Sequence, residues 1–386
     1  MALVNKTNAK PATLAAQALG WVDEQTRAIA PPLHLSSTFL RDEDNLYRSG
    51  RNYARGDNPA FDQPEAVLAA LENGADALVF ASGMAAATSV FQALAPGDHV
   101  VAPKVMYWSL RNWIAGFANT WGIGVDFADM SDLDAVGRAM RPDRTKLVWI
   151  ETPGNPMWNI TDIAAVAEIA HAAGARLAAD STVATPVLSR PIEYGADLVM
   201  HSATKYLNGH SDIVAGALIT RAEDEFWGRI KNNRVQIGGI LGSFESWLLL
   251  RGMRTLFPRV KTACAAAQKL AEAMVQHSHV REVLYPGLLD FLGHDIAARQ
   301  MGGGFGGMLS IRVRAGEAAA IATAAKVQIW KRATSLGGVE SLIEHRASIE
   351  GPDTPCPPDL LRLSVGIEDA DDLISDLSAA LDAAHE

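Results

Sequence analysis

From about residue 64 to residue 250 the chain alternates between short apolar runs and longer stretches whose apolar positions recur at helical spacing. Ala77-Leu78-Val79-Phe80 reads as a strand that runs into Ala81-Ser82-Gly83. The following MAAATSVFQALA reads as a helix stopped at Pro96-Gly97. Lys146-Leu147-Val148-Trp149-Ile150 is a second strand, ending in Glu151-Thr152-Pro153-Gly154-Asn155-Pro156. Thr161 is the expected N-cap of TDIAAVAEIAHAA, which Gly174 closes. A third strand, residues 176–179, ends at Asp180, and a fourth, 197–200, ends in His201-Ser202-Ala203-Thr204-Lys205. Such alternation predicts an α/β fold: a parallel-dominated sheet with helices on both faces. Ligands of open α/β sheets bind beyond the carboxyl ends of the strands. Asn155, Asp180 and Lys205 come from three such ends and are expected to converge on one ligand.

Outside this region the pattern changes. Residues 1–50 read as an N-terminal arm of short helical pieces followed by AIAPPLHLSSTF with its Pro-Pro pair. Residues 51–250 form the large domain, and a boundary near LLLRGMRTLFPRV leaves 251–386 as a smaller C-terminal α/β domain. There, LFPRVKTACAAAQKLAEAMVQH is helical, and the Gly-rich MGGGFGG precedes a strand over residues 308–313.

Composition narrows the classes. Of 386 residues 48% are apolar and 20% charged, an ordinary globular mixture. The formal net charge of −10 argues against nucleic acid or an anionic membrane surface as partner, since phosphate attraction needs clustered Lys and Arg. No apolar run is long enough for a transmembrane helix. The first twenty residues lack a basic start with a compact apolar core, so no secretory leader is expected and the expected location is the cytoplasm. Cys264 and Cys356 stand in no metal or disulfide spacing, and no metal is expected.

The chemistry centres on HSATKYLNGHSD, residues 201–212. A lone Lys is ordinarily a solvated charge. Lys205 instead follows an apolar strand and lies beside the hydroxyls of Ser202 and Thr204, where an amine can bond an aldehyde cofactor and hydroxyls can hold its phosphate. Asp180 supplies a carboxylate of the kind that keeps a cofactor ring nitrogen protonated. Ser82-Gly83-Met84, at a strand-to-helix turn, presents backbone N–H groups of the kind that bind phosphate. His201 and His210 are taken as structural.

The segment resembles the cofactor-lysine region of the Cys/Met-metabolism family of pyridoxal-phosphate (PLP) enzymes, the transsulfuration family that includes cystathionine γ-synthase and γ-lyase. The likeness runs through TRAIAPPLHLSSTF, YARGDNPAFDQPEAVLAALE, ETPGNP, ADSTVATP, LLLRGMRTL, SLGGVESLIEH and LLRLSVGIEDADDLISDL. It implies the aspartate-aminotransferase-like PLP-transferase fold and pyridoxal 5′-phosphate as cofactor. On it, Lys205 is the Schiff-base lysine and proton shuttle, Asp180 pairs with the pyridine nitrogen, and Thr182 packs beside the ring. Gly83, Met84, Ser202 and Thr204 hold the phosphate; Tyr107 stacks on the ring and assists the leaving group. Arg362 clamps the substrate carboxylate, with Asn155 and Ser335 orienting it. Tyr53 and Arg55 reach into a neighbouring subunit, so a homotetramer, a dimer of dimers with shared active sites, is expected.

Three places depart from the family pattern. Asn52 stands where an acidic residue often precedes the Tyr-x-Arg segment, and belongs with the substrate-side residues. Tyr107-Trp108-Ser109-Leu110-Arg111 lacks the usual Gly/Pro and Thr, with Trp108 and Trp113 adding bulk. After SLGGVESLIEH the family's Pro is replaced by Arg346, and residues 346–358 form an altered, Pro-rich loop. SLGGVESL, with Glu340 as a further substrate-side residue, resembles the γ-acting branch. The implied reaction is γ-elimination or γ-replacement on a small γ-substituted amino acid. Cystathionine β-lyase, methionine γ-lyase and a γ-lyase of an oxygen-linked substrate such as canavanine stay open, as does a catalytically silent scaffold. A nicotinamide oxidoreductase is disfavoured: Gly302-x-Gly304-x-x-Gly307 precedes a strand rather than opening a helix.

Overall fold

A computed structural model describes residues 9–351 and 355–386. The arm's first eight residues and 352–354 of the altered loop lie outside the described residues. Seven strands form the first sheet: β1 (Asp76–Phe80), β2 (His99–Pro103), β3 (Gly124–Ala128), β4 (Thr145–Glu151), β5 (Arg176–Asp180), β6 (Leu198–His201) and β7 (Gly216–Thr220). Their order is β1-β7-β6-β5-β4-β2-β3. The pairs from β6 through β3 are parallel, and β7 runs antiparallel to both neighbours. The central strands are continuous apolar runs because helices cover both faces, as parallel sheets require. Val67, Leu71, Val79 and Val199 belong to one core cluster, and Phe80, Phe91, Trp149 and Leu218 to another.

The second sheet holds β8 (Val280–Leu284), β9 (Met308–Val313), β10 (Lys331–Arg332), β11 (Leu342–His345) and β12 (Leu360–Ser364), in the order β10-β11-β12-β9-β8. The Gly-rich segment leads into β9, so the dinucleotide pattern opens no helix. Helices of the first half are α1 (Pro11–Ala16), α2 (Pro59–Glu72), α3 (Gly83–Phe91), α4 (Trp108–Trp121), α5 (Leu133–Ala139), α6 (Ile163–Ala172) and α7 (Thr185–Leu188). Those of the second are α8 (Glu225–Ile237), α9 (Ser243–Met253), α10 (Leu256–Val275), α11 (His294–Gln300), α12 (Glu317–Lys326), α13 (Ala347–Glu350) and α14 (Ala370–His385). Helix α9 packs on α2, whereas α10 packs on β8, β9 and α14. No helix among the described residues is long and apolar enough to cross a membrane.

Two local expectations are corrected. The N-cap of α6 is Asp162, whose Oδ1 accepts the Ala165 N–H, and not Thr161. Thr161 is buried and otherwise engaged: its N–H donates to Thr152 Oγ1 at 3.1 Å and its carbonyl accepts from Gln300. Helix α3 ends at Phe91 rather than at Pro96, because the bonds Ala93 N–H to Val90 O and Leu94 N–H to Phe91 O tighten the chain into three-residue turns.

Candidate active site

The carboxyl ends of β4, β5 and β6 lie side by side, and the cross-strand register puts Glu151 beside Asp180. Asp180 is half-buried; its Oδ1 accepts the Thr182 N–H at 3.0 Å, and no cation forms an ion pair with it among the described residues. Burial raises its pKa above the ordinary carboxylate value. Thr182 Oγ1 in turn accepts the Ser202 N–H at 2.8 Å, fixing the turn after β6 to the turn after β5.

The turn from β1 into α3 faces Ser202. Ser82 caps α3 through the Ala85 N–H at 3.0 Å, leaving the Gly83 and Met84 amides as first-turn donors without intrahelical acceptors. A Cβ on Gly83 would lie 2.9 Å from Ser202 Cβ and Oγ, so only glycine lets the two turns approach this closely. The Thr204 hydroxyl is engaged with Ala215, donating to its carbonyl and accepting its N–H.

Lys205 is half-buried, and its Nζ donates to Ser335 Oγ at 2.7 Å. Burial, assisted by the Arg362 guanidinium, lowers its pKa to about 8. The Ser335 carbonyl accepts from Arg362 Nη2 at 2.8 Å, so one residue joins the amine to the guanidinium. Ser335 holds this position at a φ of +92°, uncommon for a residue with a side chain. Arg362, on β12, is buried, and burial lowers its pKa to about 10. Its Nη1 donates to Asn155 Oδ1 at 3.3 Å, and its Nη2 pairs with Glu344 at 2.7 Å. The second sheet thus delivers Arg362 to the ends of the first. The junction is fastened by Trp158, whose Nε1 donates to Ser310 Oγ while Ser310 donates to the Pro156 carbonyl.

The Lys205 N–H donates to the Ser202 carbonyl at 3.0 Å, so Lys205, Asp180, Thr182, Ser202, Gly83, Asn155, Ser335 and Arg362 form one linked constellation. Tyr107 joins it as the residue before α4: its N–H donates to Glu151 Oε2 at 2.8 Å, with its side chain partly exposed. No hydrogen bond or ion pair among the described residues ties Asn52, Tyr53 or Arg55 to the constellation; Arg55 stacks toward the Tyr53 ring, and Tyr53 bridges Thr38. Glu340 accepts from Ser211 Oγ, six residues beyond Lys205 in the chain. His201 pairs with the buried Glu72 at 2.6 Å, and His210 caps the Asn208 carbonyl.

Sequence reasoning missed Glu151. Its carboxylate accepts the amides of Asn155 (2.8 Å) and Tyr107 (2.8 Å), so it places two site residues at once. Burial and the neighbouring Asp180 carboxylate push its pKa up to about 8. The signal was its place at a strand end, opening ETPGNP. Glu344 was also missed, because its role depends on a cross-strand partner eighteen residues on.

These groups fit PLP: an uncompensated carboxylate for a ring nitrogen, paired first-turn amides with Ser202 for a phosphate, and an amine of lowered pKa for an aldehyde.

The family model described as Cys/Met metabolism PLP-dependent enzyme matches residues 12–382. A cystathionine gamma-synthase of Mycobacterium bovis is 46% identical over 379 residues, covering 96% of each chain. A cystathionine gamma-lyase of Dictyostelium discoideum is 39% identical over 373 residues, covering 93% of this chain and 94% of that one. The crystal structure of cystathionine gamma synthase from Xanthomonas oryzae pv. oryzae, in complex with aminoacrylate and cysteine, superposes with a TM-score of 0.94 at 38% identity, covering 98% of this chain and 99% of that one.

Proposed function

The chain belongs to the Cys/Met-metabolism family of PLP-dependent enzymes, and on that premise we propose that it replaces or eliminates the γ-substituent of an L-amino acid, with replacement by a thiol as the leading reading. The carrying observation is the run of contacts from Lys205 Nζ through Ser335 to Arg362 and Asn155, which sets a base beside a carboxylate clamp. The 46% likeness to a named synthase supports replacement over elimination.

PLP, when bound, supplies the electron sink for the pair left at Cα when its proton is removed. The chain's residues do the rest. Arg362 takes the substrate carboxylate on its planar fork, with Asn155 and Ser335 fixing the angle. Lys205 Nζ would take the Cα proton, release it to the cofactor's aldehyde-derived carbon and, neutral again, take one from Cβ; a pKa near 8 makes more of the amine neutral at a given pH than in an ordinary lysine. With PLP bound, Asp180 would pair with the protonated ring nitrogen, Thr182 would pack beside the ring, and Gly83, Met84 and Ser202 would hold the phosphate, joined by Thr204 once its hydroxyl turned from the Ala215 carbonyl. Tyr107 would stack on the ring and give a proton to the group that leaves Cγ with its bonding pair. Asn52 and Glu340 bear on the substrate's distal end.

We further propose a cytoplasmic homotetramer in which residues 51–250 hold the cofactor, residues 251–386 bring the clamp, and Tyr53 and Arg55 complete a neighbouring subunit's phosphate site. Apolar side chains of the arm favour association with another copy, with Ile29, Leu35 and Leu40 at 71, 73 and 94% exposure in the single chain.

The test is product identification with the PLP-loaded protein. An O-acylhomoserine plus cysteine is expected to yield cystathionine, with 2-oxobutyrate when the thiol is withheld. Pyruvate from cystathionine without 2-oxobutyrate would move the reaction to β-elimination. No product across γ- and β-substituted amino acids would leave the scaffold.

A further inference from the structure

We propose that Arg346 is a positioning residue for the substrate carboxylate: it holds Glu344 so that Arg362 is left to take the incoming group. This rests on Arg362 being the carboxylate clamp.

Glu344 on β11 and Arg362 on β12 are direct cross-strand partners, and Glu344 Oε2 lies 2.7 Å from Arg362 Nη2. The clamp therefore already carries a carboxylate, which competes with the substrate's. Arg346 Nη1 donates to the same Glu344 oxygen at 2.8 Å, so that oxygen sits between two guanidiniums. The remaining Arg346 nitrogens donate to Glu350 Oε1, Nε at 3.1 Å and Nη2 at 2.6 Å. The one-turn helix α13 brings Glu350 back over Arg346. Side chains of all four residues are 3 to 7% exposed, so water screens them little.

The charge count gives Arg346 its role. Two guanidiniums face two carboxylates before substrate arrives. A substrate adds a third carboxylate. With Arg346 present, Glu344 keeps a cation when the substrate draws on Arg362; without it, Glu344 and the substrate would share the Arg362 guanidinium, and an uncompensated buried charge is strongly unfavourable.

Calorimetry on the PLP-loaded protein with glycine and glycinamide separates carboxylate recognition from amine recognition. Arg346→Gln is expected to weaken glycine by about tenfold or more and to leave glycinamide unchanged. Glu344→Gln, which removes the competitor, is expected to tighten glycine, a change of opposite sign that loss of structure cannot imitate. Arg362→Gln is the control for the clamp and weakens glycine alone. If it does so while Arg346→Gln moves both ligands equally or neither, or while Glu344→Gln weakens glycine, Arg346 is structural and the proposal falls. If Arg362→Gln leaves the ratio of the two ligands unchanged, the clamp itself falls and the proposal with it.

Discussion

Glu151 is the residue whose surroundings are least ordinary. It lies beside Asp180 and spends each oxygen on one backbone amide, so neither Gln nor Asp can replace it: Gln presents an NH2 to a donor, and Asp is too short to reach both. Its folded pKa, about 8, lies above the ordinary carboxylate value of 4.5. The folded apoprotein therefore holds a proton that the unfolded chain has released. Stability from this group is full below the unfolded value and is lost as pH rises through about 8. The melting temperature of the apoprotein should fall across that window, and Glu151→Gln should flatten the fall while lowering kcat by about tenfold or more through misplaced Tyr107 and Asn155. Melting curves at a series of pH values check the first part; an unchanged slope in the variant contradicts it.

At the scale of elements, the site exists because strand ends meet turns closely enough to exclude side chains. Gly216 opens β7 against the turn before α3: a Cβ there would lie 2.1 Å from the Ser82 carbonyl oxygen. Gly216→Ala should therefore cost about 1–3 kcal/mol of stability and weaken PLP binding, because the obstacle is backbone that carries the phosphate amides. Denaturant titration and PLP titration measure the two effects; normal PLP affinity in a destabilised variant would separate the strand from the phosphate turn. Similarly, Arg259 donates to the carbonyls of Tyr206, Leu207 and Gly252, pinning the chain just after Lys205, and Gly209 has no room for a Cβ beside it. This explains why LLLRGMRTLFPR and KYLNGH belong together. Elements on this side of the molecule were legible because apolar strands run directly into Asn155, Asp180 and Lys205, so chain order alone brings them to one edge. Arg362 was found through resemblance, and its partner Glu344 was not found. Pairing across an antiparallel sheet leaves no local trace, and neither does the reach of β12 to Asn155, which depends on the docking of two sheets.

At the scale of the whole molecule, a single chain brings Lys205, Asp180 and Arg362 to one place, yet leaves Tyr53 half-exposed and separate from them. An arm rich in exposed apolar residues, with Ile237 and Phe244 also exposed, suits association with another copy. If sites are shared, Lys205→Ala and Arg55→Ala variants are each impaired, but subunits mixed after dissociation carry some sites with both residues intact. Mixing should restore part of the wild-type rate, as a steady-state assay would register. No recovery in mixed oligomers would make each site the property of one chain.

The account stands on Lys205 as the residue that bonds PLP. Borohydride reduction of the loaded protein, followed by digestion and mass spectrometry, fixes the cofactor to whichever lysine holds it. The expected result is a pyridoxyl-phosphate group on the peptide containing Lys205 and none in Lys205→Ala. A label on another lysine, or no label after exposure to PLP, would contradict the account at its centre.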